Sequence, residues 1–329
     1  MDWNGPVFGD VPRRRRLAFR TRRGDRCLLL TARPWVQVAV ALIAAGVQCV
    51  GASASGGSSA TVHLLATSWS PRGSSILLDV EDQATGRLHL EKFDLAGQRP
   101  LQDLTPAAVR AYEASWSPNG RRIVFGASDP ATSTTTRLYV MNADGRDRHL
   151  VARHAREAAW SPNGQKLVYW VEDYTRPIRL RIITASGSLV REIRFRHQLS
   201  LRAPFWSPDG KRIAFTANGV QGPVYSVRTD GTGLRRIAAG PLSFGVWARD
   251  WRRVVYWGGP QRADLYVAHF PYSHPRRLTS THGKFDIVSA TWAPSEKEVA
   301  YVGTAMSTDQ SALFKVKIHG SRPVQLWPR

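Results

Sequence analysis

Two glutamates, Glu113 and Glu157, occupy equivalent places in the chain, because each lies three residues before a tryptophan that opens the same short phrase. Polar, basic and aromatic side chains lie near them in the repeat, at Arg110, Tyr112, His154, Arg156 and Arg202. Paired carboxylates can act as a general acid and a general base, or hold a cation such as Ca²⁺. The structural alternative, which the sequence favours, is that Glu113 and Glu157 neutralise Arg156 and Arg202 in an ion network.

These side chains can meet only if the segments that carry them lie side by side, and a sequence repeat provides for this. Six tryptophans begin phrases of the type Trp-Ser-Pro-Asn-Gly and follow one another at intervals of 47, 44, 46, 41 and 45 residues. A period in the forties that carries a tryptophan and a turn is typical of the four-stranded blade of a β-propeller. We expect the six to pack between blades; they are Trp69, Trp116, Trp160, Trp206, Trp247 and Trp292.

Each phrase predicts a tight turn between two strands. Proline fixes φ for a type I turn, Asn or Asp tolerates the second corner, and glycine takes the left-handed position that closes the hairpin. Short runs rich in β-branched and aromatic residues follow, such as 122–125 and 212–215. In the last two copies Trp251 and Glu296 stand where the glycine belongs. The sequence therefore predicts an all-β fold, a six-bladed propeller with four antiparallel strands per blade.

The best-preserved copy, Trp-Ser-Pro-Asp-Gly-Lys-Arg-Ile-Ala-Phe at 206–215, is followed by Val-Tyr-Ser-Val at 224–227 and Thr-Asp-Gly at 229–231. This pattern resembles the WD40-like repeat of the TolB-type β-propeller family. The resemblance covers about residues 62–329 and implies the fold. TolB itself carries a separate α/β domain ahead of its propeller, and we expect no counterpart of that domain here, so TolB's own partners are not implied.

The segment before the propeller does not follow the repeat. A basic leader at 1–34 has nine arginines against three aspartates, an apolar segment follows at 35–54, and a Gly/Ser linker occupies 55–61. This order is typical of an export signal, and the apolar length suits either a cleaved signal peptide or an uncleaved anchor helix of about 18–20 residues. Both alternatives stay open, and both keep the leader in the cytoplasm. We predict an extracytoplasmic propeller at 62–329, membrane-anchored or secreted.

The composition limits the possible partners. The net charge is +21, from 46 Lys and Arg against 25 Asp and Glu, and the leader accounts for +6 of it. A basic propeller favours a protein partner or an anionic envelope polymer, while export disfavours nucleic acid. Both cysteines, Cys27 and Cys49, precede the propeller. No cofactor, metal site or catalytic residue is expected, because the sequence lacks Gly-x-Ser-x-Gly, His-Glu-x-x-His and phosphate-binding glycine motifs.

One face of the predicted ring varies between blades. Loops from second to third strands, and between blades, share a face that we call the variable face, and recognition usually lies on such loops. The loops at 126–136 and 172–177 supply the candidate binding residues Asp129, Glu172, Asp173 and Tyr174. Replacing these four together is predicted to abolish specific capture of a partner while salt-sensitive adhesion to anionic lipid or polymer persists. Three tryptophans outside the repeat positions are candidates for exposed ligand contacts: Trp170, Trp251 and Trp257.

The sequence favours an exported, non-catalytic, monomeric propeller that acts as a scaffold for protein interaction or polymer binding. The alternative is an enzyme of lyase or hydrolase type, because propellers support many functions. The first strands of a propeller line its central channel, so such an enzyme would use Glu113, Glu157 and the polar residues near them at the mouth of that channel. An enzyme needs Glu113 or Glu157 unpaired and accessible, whereas a scaffold needs neither. Since each blade is complete in consecutive sequence, we expect the ring to close by packing between the first and last blades. Pairing of residues 55–62 onto the last blade would contradict this.

Overall fold

The computed structural model describes residues 62–96, 101–106, 109–128, 136–172, 179–195, 201–217, 222–238, 246–258, 264–269 and 273–328. These residues form six antiparallel sheets of four strands each, the blades of a propeller, and the predicted fold is confirmed. The predicted leader, apolar segment and linker lie outside the described residues. In the described part of the chain, no helix has the length and apolar character needed to cross a membrane.

The strands of every blade follow one another in the sequence. Blade 1 comprises β1 (Val62–Trp69), β2 (Ser75–Asp82), β3 (Arg87–Asp94) and β4 (Gln102–Asp103). Blade 2 comprises β5 (Arg110–Trp116), β6 (Arg122–Ser128), β7 (Arg137–Asn142) and β8 (His149–Arg153), and blade 3 comprises β9 (Ala155–Trp160), β10 (Lys166–Val171), β11 (Arg179–Thr184) and β12 (Leu189–Arg194). Blade 4 comprises β13 (Leu201–Trp206), β14 (Arg212–Ala217), β15 (Val224–Arg228) and β16 (Arg235–Ala238), and blade 5 comprises β17 (Val246–Trp247), β18 (Arg253–Gly258), β19 (Asp264–His269) and β20 (Ser273–Arg277). Blade 6 comprises β21 (Phe285–Trp292), β22 (Glu298–Ala305), β23 (Ser311–Lys317) and β24 (Val324–Trp327).

The repeated phrase forms the turn that its residues predict. In blade 2, Gly120 has φ of 69°, and its backbone nitrogen donates to Ser117 O at 2.8 Å. Ser117 Oγ accepts from the nitrogen of Arg122 at 2.9 Å, which ties the turn to the following strand. Trp251 and Glu296, with φ of 59° and 53°, adopt the same left-handed conformation at the glycine position of blades 5 and 6. The turns of blades 5 and 6 therefore keep the backbone conformation of the other turns, although Trp251 and Glu296 replace the glycine.

The hydrophobic core lies between neighbouring blades. Phe125 and Phe215 are fully buried in the second strands of blades 2 and 4. Phe215 packs in one cluster with Val168 and Ile182 of blade 3, and Phe125 packs in another with Leu77 of blade 1. Burying such a side chain contributes roughly 1.5–3 kcal/mol. Stability of the ring thus depends on contacts that join blades as much as on the sheets themselves.

The repeat tryptophans link consecutive blades by hydrogen bonds. Trp160 Nε1 donates to Ser115 O at 3.3 Å, and Trp206 Nε1 donates to Ala159 O at 3.1 Å. Equivalent bonds run from Trp116 to Ser68 O and from Trp292 to Val246 O. Four of the six repeat tryptophans are buried, as predicted: Trp69, Trp160, Trp206 and Trp292. The other two, Trp116 and Trp247, have intermediate exposure.

The expectation of exposed tryptophans outside the repeat positions is wrong. Trp170 and Trp257 are 6% and 5% exposed, because both lie in second strands whose faces pack against the next blade. Trp251 packs edge-on against Phe205 at 5.3 Å between ring centroids. Its Nε1 donates to Trp206 O at 2.9 Å, so a tryptophan from the turn makes the blade-to-blade bond here.

The ring closes through packing between blades 6 and 1. Leu64, Leu78 and Phe93 of blade 1 share a buried cluster with Val302 and Leu313 of blade 6. Two backbone nitrogens of β1 donate to hydroxyls of β21, from Thr67 to Ser289 Oγ at 3.1 Å and from Trp69 to Thr291 Oγ1 at 3.3 Å. In the described residues, no strand of blade 1 pairs with a strand of blade 6, as predicted. Residues 55–61 lie outside the described part of the chain.

Candidate functional site

The first strands of three consecutive blades carry a β-bulge at the same place. The β5–β6 register shifts between Tyr112 and Ser115, which takes Glu113 out of the ladder. Comparable shifts occur near Glu157 in β9 and near Ala203 in β13. Glu113, Glu157 and Ala203 have φ of 55°, 50° and 46°. This left-handed conformation costs roughly 1–2 kcal/mol per residue without glycine, so neighbouring contacts must stabilise it.

Three carboxylates provide those contacts, and each reaches from one blade to the next. Asp79 Oδ2 of β2 accepts from the nitrogen of Glu113 at 2.5 Å. Glu113 Oε2 accepts from the nitrogen of Glu157 at 3.0 Å, and Glu157 Oε2 accepts from the nitrogen of Ala203. Such bonds to carboxylates are stronger than bonds between neutral groups. We call Asp79, Glu113 and Glu157 the carboxylate chain; it fastens blades 1 to 4 to one another along their inner strands.

Burial dominates the pKa values of Asp79 and Glu113. Asp79 is 4% exposed, and desolvation raises its pKa from 3.8 to about 7, against the backbone N–H groups of Glu113 and Ala114, which lower it. Desolvation also raises the pKa of Glu113 from 4.5 to about 7, with a further increase from repulsion by Glu157 and an opposing effect of Arg156. Carboxyl groups with a pKa near 7 can exchange protons at neutral pH.

A second polar cluster lies beside the chain. Arg156 Nε is 3.1 Å from Glu172 Oε1, and the two side chains are 11% and 9% exposed. Thr136 Oγ1 donates to Glu172 Oε2 at 2.6 Å and accepts from Arg156 Nε at 3.2 Å. The hydroxyl of Tyr112 donates to Thr136 Oγ1 at 3.5 Å. We call these four residues the Arg156 cluster; it joins the variable face of blades 2 and 3.

The ion network predicted for Glu113 and Glu157 with Arg156 and Arg202 stays a prediction, although the charge of Arg156 does lower the pKa of Glu113. Glu113 and Glu157 accept from backbone N–H groups of the following blade, because the bulge directs those groups at the carboxylates. Arg156 pairs with Glu172, which was predicted as a partner-binding residue and instead lies in a buried ion pair. Arg202 pairs through its backbone with Thr216 in β13–β14. Glu113 and Glu157, the candidates for acid–base chemistry, therefore each use a carboxylate oxygen to bind the next blade.

The remaining predicted binding residues are dispersed. Arg110 begins β5 and is half-buried, and its Nε has no hydrogen-bond partner among the described residues. His154 is exposed, has φ of 52° and lines a groove between the outer strands of blades 2 and 3. Asp129, Asp173 and Tyr174 lie outside the described residues.

Sequence reasoning missed Asp79 and Thr136. Asp79 is the single charge inside the run Ser-Ile-Leu-Leu-Asp-Val at 75–80, whose apolar members are buried. A charge in the middle of a buried strand needs a partner, and this could have marked it. Thr136 closes a variable loop of small polar residues, and nothing in the sequence distinguishes it from its neighbours. In the described part of the chain, no three His, Cys, Asp or Glu side chains are grouped as metal ligands.

Positive charge is spread over the whole ring. Among the described residues, exposed arginines occur on the turns and outer strands of all six blades, so their charge is distributed around the ring. They include Arg72, Arg121, Arg148, Arg153, Arg191, Arg194, Arg235, Arg236, Arg252, Arg276, Arg277 and Arg322.

Known structures share this fold. TolB from Acinetobacter baumannii superposes with a TM-score of 0.57 at 13% identity, over 80% of this chain and 62% of that one, so the present chain spans less than two thirds of that protein's length. A TolB candidate from Agrobacterium tumefaciens gives 0.55 at 20% identity over 78% and 90% of the two chains. Oligogalacturonate lyase from Vibrio parahaemolyticus gives 0.53 at 15% identity over 76% of each chain. No family model and no curated protein matches the sequence. At these identities the likeness concerns the fold.

Proposed function

We propose that the protein is an exported, non-catalytic propeller of the TolB type that binds a protein partner or an anionic envelope polymer through its variable face. The observation that carries this proposal is that Glu113 and Glu157 both form hydrogen bonds with the neighbouring blade. Glu113 and Glu157 each accept a backbone N–H of the next blade. A scaffold needs these contacts to keep its ring rigid, whereas an acid–base catalyst needs a carboxyl group directed at a substrate.

The charge distribution supports an anionic partner. Arginines exposed on every blade produce a positive field that attracts acidic surfaces weakly and with strong dependence on salt. The order of a basic leader and an apolar segment at 1–54 supports a propeller outside the cytoplasm, tethered or secreted. Specificity then comes from the variable loops, which a rigid ring holds in place.

The test separates specific capture from general adhesion. Because Glu172 stabilises Arg156, the decisive variant leaves it in place and replaces Asp129, Asp173 and Tyr174 with serine. Binding of vesicles that contain phosphatidylglycerol is measured from low to high salt, and proteins cross-linked to the full chain in an envelope extract are compared between variant and wild type. We expect the variant to lose the cross-linked partner and to keep vesicle adhesion. Unchanged capture, or loss of both activities, would contradict the proposal.

One observation favours a second candidate, an enzyme of lyase or hydrolase type. Glu113 has a pKa raised to about 7, which suits a general acid or base at neutral pH. An oligogalacturonate lyase has the same fold, although a shared fold does not carry an activity with it. Incubation of the full chain with oligogalacturonate, followed by chromatography of the products, tests this candidate. Turnover that disappears in Glu113→Gln would replace the scaffold proposal by the enzymatic one.

A further inference from the structure

The outer strands of blades 2 and 3 are separated by a groove of about 480 Å³. Its walls are Leu150 and Arg153 of β8 on one side and Leu189 on the other, and Tyr169 and Arg181 form its floor. We call this the outer groove. A volume of several hundred Å³ is in the range of sites that bind ligands.

Exposed apolar side chains concentrate at this place. Leu150 and Leu189 are 36% and 60% exposed and line the groove. These are two of the six large hydrophobic side chains exposed among the described residues. Exposed apolar residues that lie together on a protein surface mark an interaction surface.

The groove is held open by ordered contacts. Arg181 Nε donates to Glu192 Oε2 at 2.7 Å, and the same carboxyl group accepts from Arg194 Nε at 2.8 Å. The turn of blade 3 closes one end, because Gly187 approaches β8 so closely that a Cβ there would lie 3.0 Å from Val151 O. His154 marks the other end, on the variable face. Its shape therefore belongs to the folded ring and does not depend on a loose loop.

Two further features define the occupant. The edge of β8 that faces away from β7 has no partner strand among the described residues, and such an edge can pair with an added extended segment. The rim of the groove is basic, since Arg153 lines it and is exposed, and since Arg181 and the exposed Arg194 outnumber the Glu192 carboxylate that both contact. Leucines in the walls suit peptide side chains better than the polar surface of a sugar polymer.

We propose that the outer groove binds an extended segment of a protein partner in which acidic residues alternate with apolar ones. The apolar side chains enter between Leu150 and Leu189, and the acidic ones face the arginines of the rim. Backbone groups of the segment pair with β8. This site uses other residues than the variable loops of the proposed function, so each can fail without the other.

Peptide binding to the purified full chain tests the proposal. The probe is a fluorescein-labelled octapeptide of alternating Glu and Leu, compared by anisotropy at low salt with one peptide that has Lys for Glu and one that has Ser for Leu. We expect the Glu-Leu peptide to bind at least about tenfold more tightly than either. Equal binding of all three, or binding of none, would overturn the proposal.

Matched variants localise the binding. Leu150→Asp with Leu189→Asp should weaken binding at least about tenfold, whereas Leu234→Asp with Val324→Asp, at positions 46% and 51% exposed outside the groove, should leave it unchanged. Arg153→Glu should likewise weaken binding more than Arg252→Glu, although both change the net charge equally. Circular dichroism and urea unfolding confirm that each variant is folded. Equal losses in the matched pairs would show that binding is nonspecific and would overturn the proposal.

Other occupants give distinct results. Competition by polygalacturonate that is lost in the Leu150/Leu189 variant would identify an anionic polymer as the ligand. A dimer in sedimentation experiments that this variant dissociates would identify a second copy of the chain. Loss of peptide binding on replacement of Asp129, Asp173 and Tyr174 would move the site to the variable face. Each of these three results would overturn the proposal.

Discussion

Glu113 Oε2 accepts the backbone N–H of Glu157 at 3.0 Å, so a carboxylate of blade 2 fixes the left-handed bulge of blade 3. Removing that acceptor leaves a partly buried N–H without this partner, which costs roughly 1 kcal/mol. Glu113→Ala should therefore lower the free energy of unfolding by about this amount in urea titrations at pH 7. Glu113→Gln keeps an acceptor oxygen and removes the cost of ionising a carboxyl whose pKa is raised to about 7, so it should be neutral or stabilising at pH 7. Glu81→Ala, which removes a partly exposed glutamate of β2, serves as the control, and an equal loss there would argue against the role of the carboxylate chain.

The raised pKa of Asp79 predicts a dependence of stability on pH. Below about pH 4 the folded and unfolded chains both hold the proton; as the pH rises, the unfolded carboxyl ionises near 3.8 while the folded one keeps its proton until about 7. The contribution of Asp79 is therefore full below about pH 4 and is lost as the pH rises to about 7. Asp79→Asn should remove this loss and gain on the order of a few kcal/mol relative to wild type between pH 4 and 8. Parallel pH profiles of the two proteins in urea would contradict the assignment.

Two tryptophans with equal exposure should respond differently to phenylalanine. Trp69 and Trp206 are both 9% exposed, but Trp206 Nε1 donates to Ala159 O, whereas Trp69 Nε1 is buried without an acceptor among the described residues. Trp206→Phe should lower the free energy of unfolding by about 1 kcal/mol more than Trp69→Phe, because it leaves a carbonyl unpaired. Equilibrium unfolding of both variants measures the difference. Equal costs would mean that the bond between blades adds nothing to stability.

Two glycines in second strands should also differ on replacement by alanine. A Cβ at Gly126 would lie 2.9 Å from the ring of Tyr112, whereas a Cβ at Gly303 would lie 3.4 Å or more from its neighbours. Gly126→Ala should destabilise the protein by roughly 1–3 kcal/mol, since Tyr112 must move away from Thr136. Gly303→Ala should be neutral or slightly stabilising. The two melting temperatures test this, and a smaller loss at Gly126 would show that the Tyr112 ring has room to move.

The sequence was sufficient for the fold and for the turns. The period of the tryptophans, the Pro-Asn-Gly turns and the apolar second strands each indicate the same blade, and even the replacement of glycine by Trp251 and Glu296 could be placed. The chemistry of the channel could not be predicted as well. A bulge changes which backbone N–H leaves the ladder, and no residue pattern specifies that Asp79 of blade 1 lies opposite Glu113 of blade 2.

The same limit explains the errors on individual side chains. Trp170 and Trp257 appear free in the sequence because they lie outside the repeated phrase, yet alternation along β10 and β18 turns them into the space between blades. Glu172 ends a strand and was predicted as a surface ligand, but Arg156 approaches it from the inner strand of the same blade. Contacts with the next blade decide the first case, and the pairing of β9 with β10 decides the second.

The hydrogen bonds between neighbouring blades differ in kind around the ring. Carboxyl acceptors join blades 1 to 4, whereas the junction of blades 6 and 1 combines a buried apolar cluster with hydrogen bonds to the hydroxyls of Ser289 and Thr291. Bonds to hydroxyls are weaker than bonds to carboxylates, so we expect the inner strands at the junction of blades 6 and 1 to open more readily than those of blades 2 and 3. In hydrogen exchange, the amides of Thr67 and Trp69 should then exchange before those of Glu113 and Glu157. Although the six blades are similar, their junctions are therefore not equivalent. A partner or a protease that acts on a transiently opened ring would reach it first at the junction of blades 6 and 1.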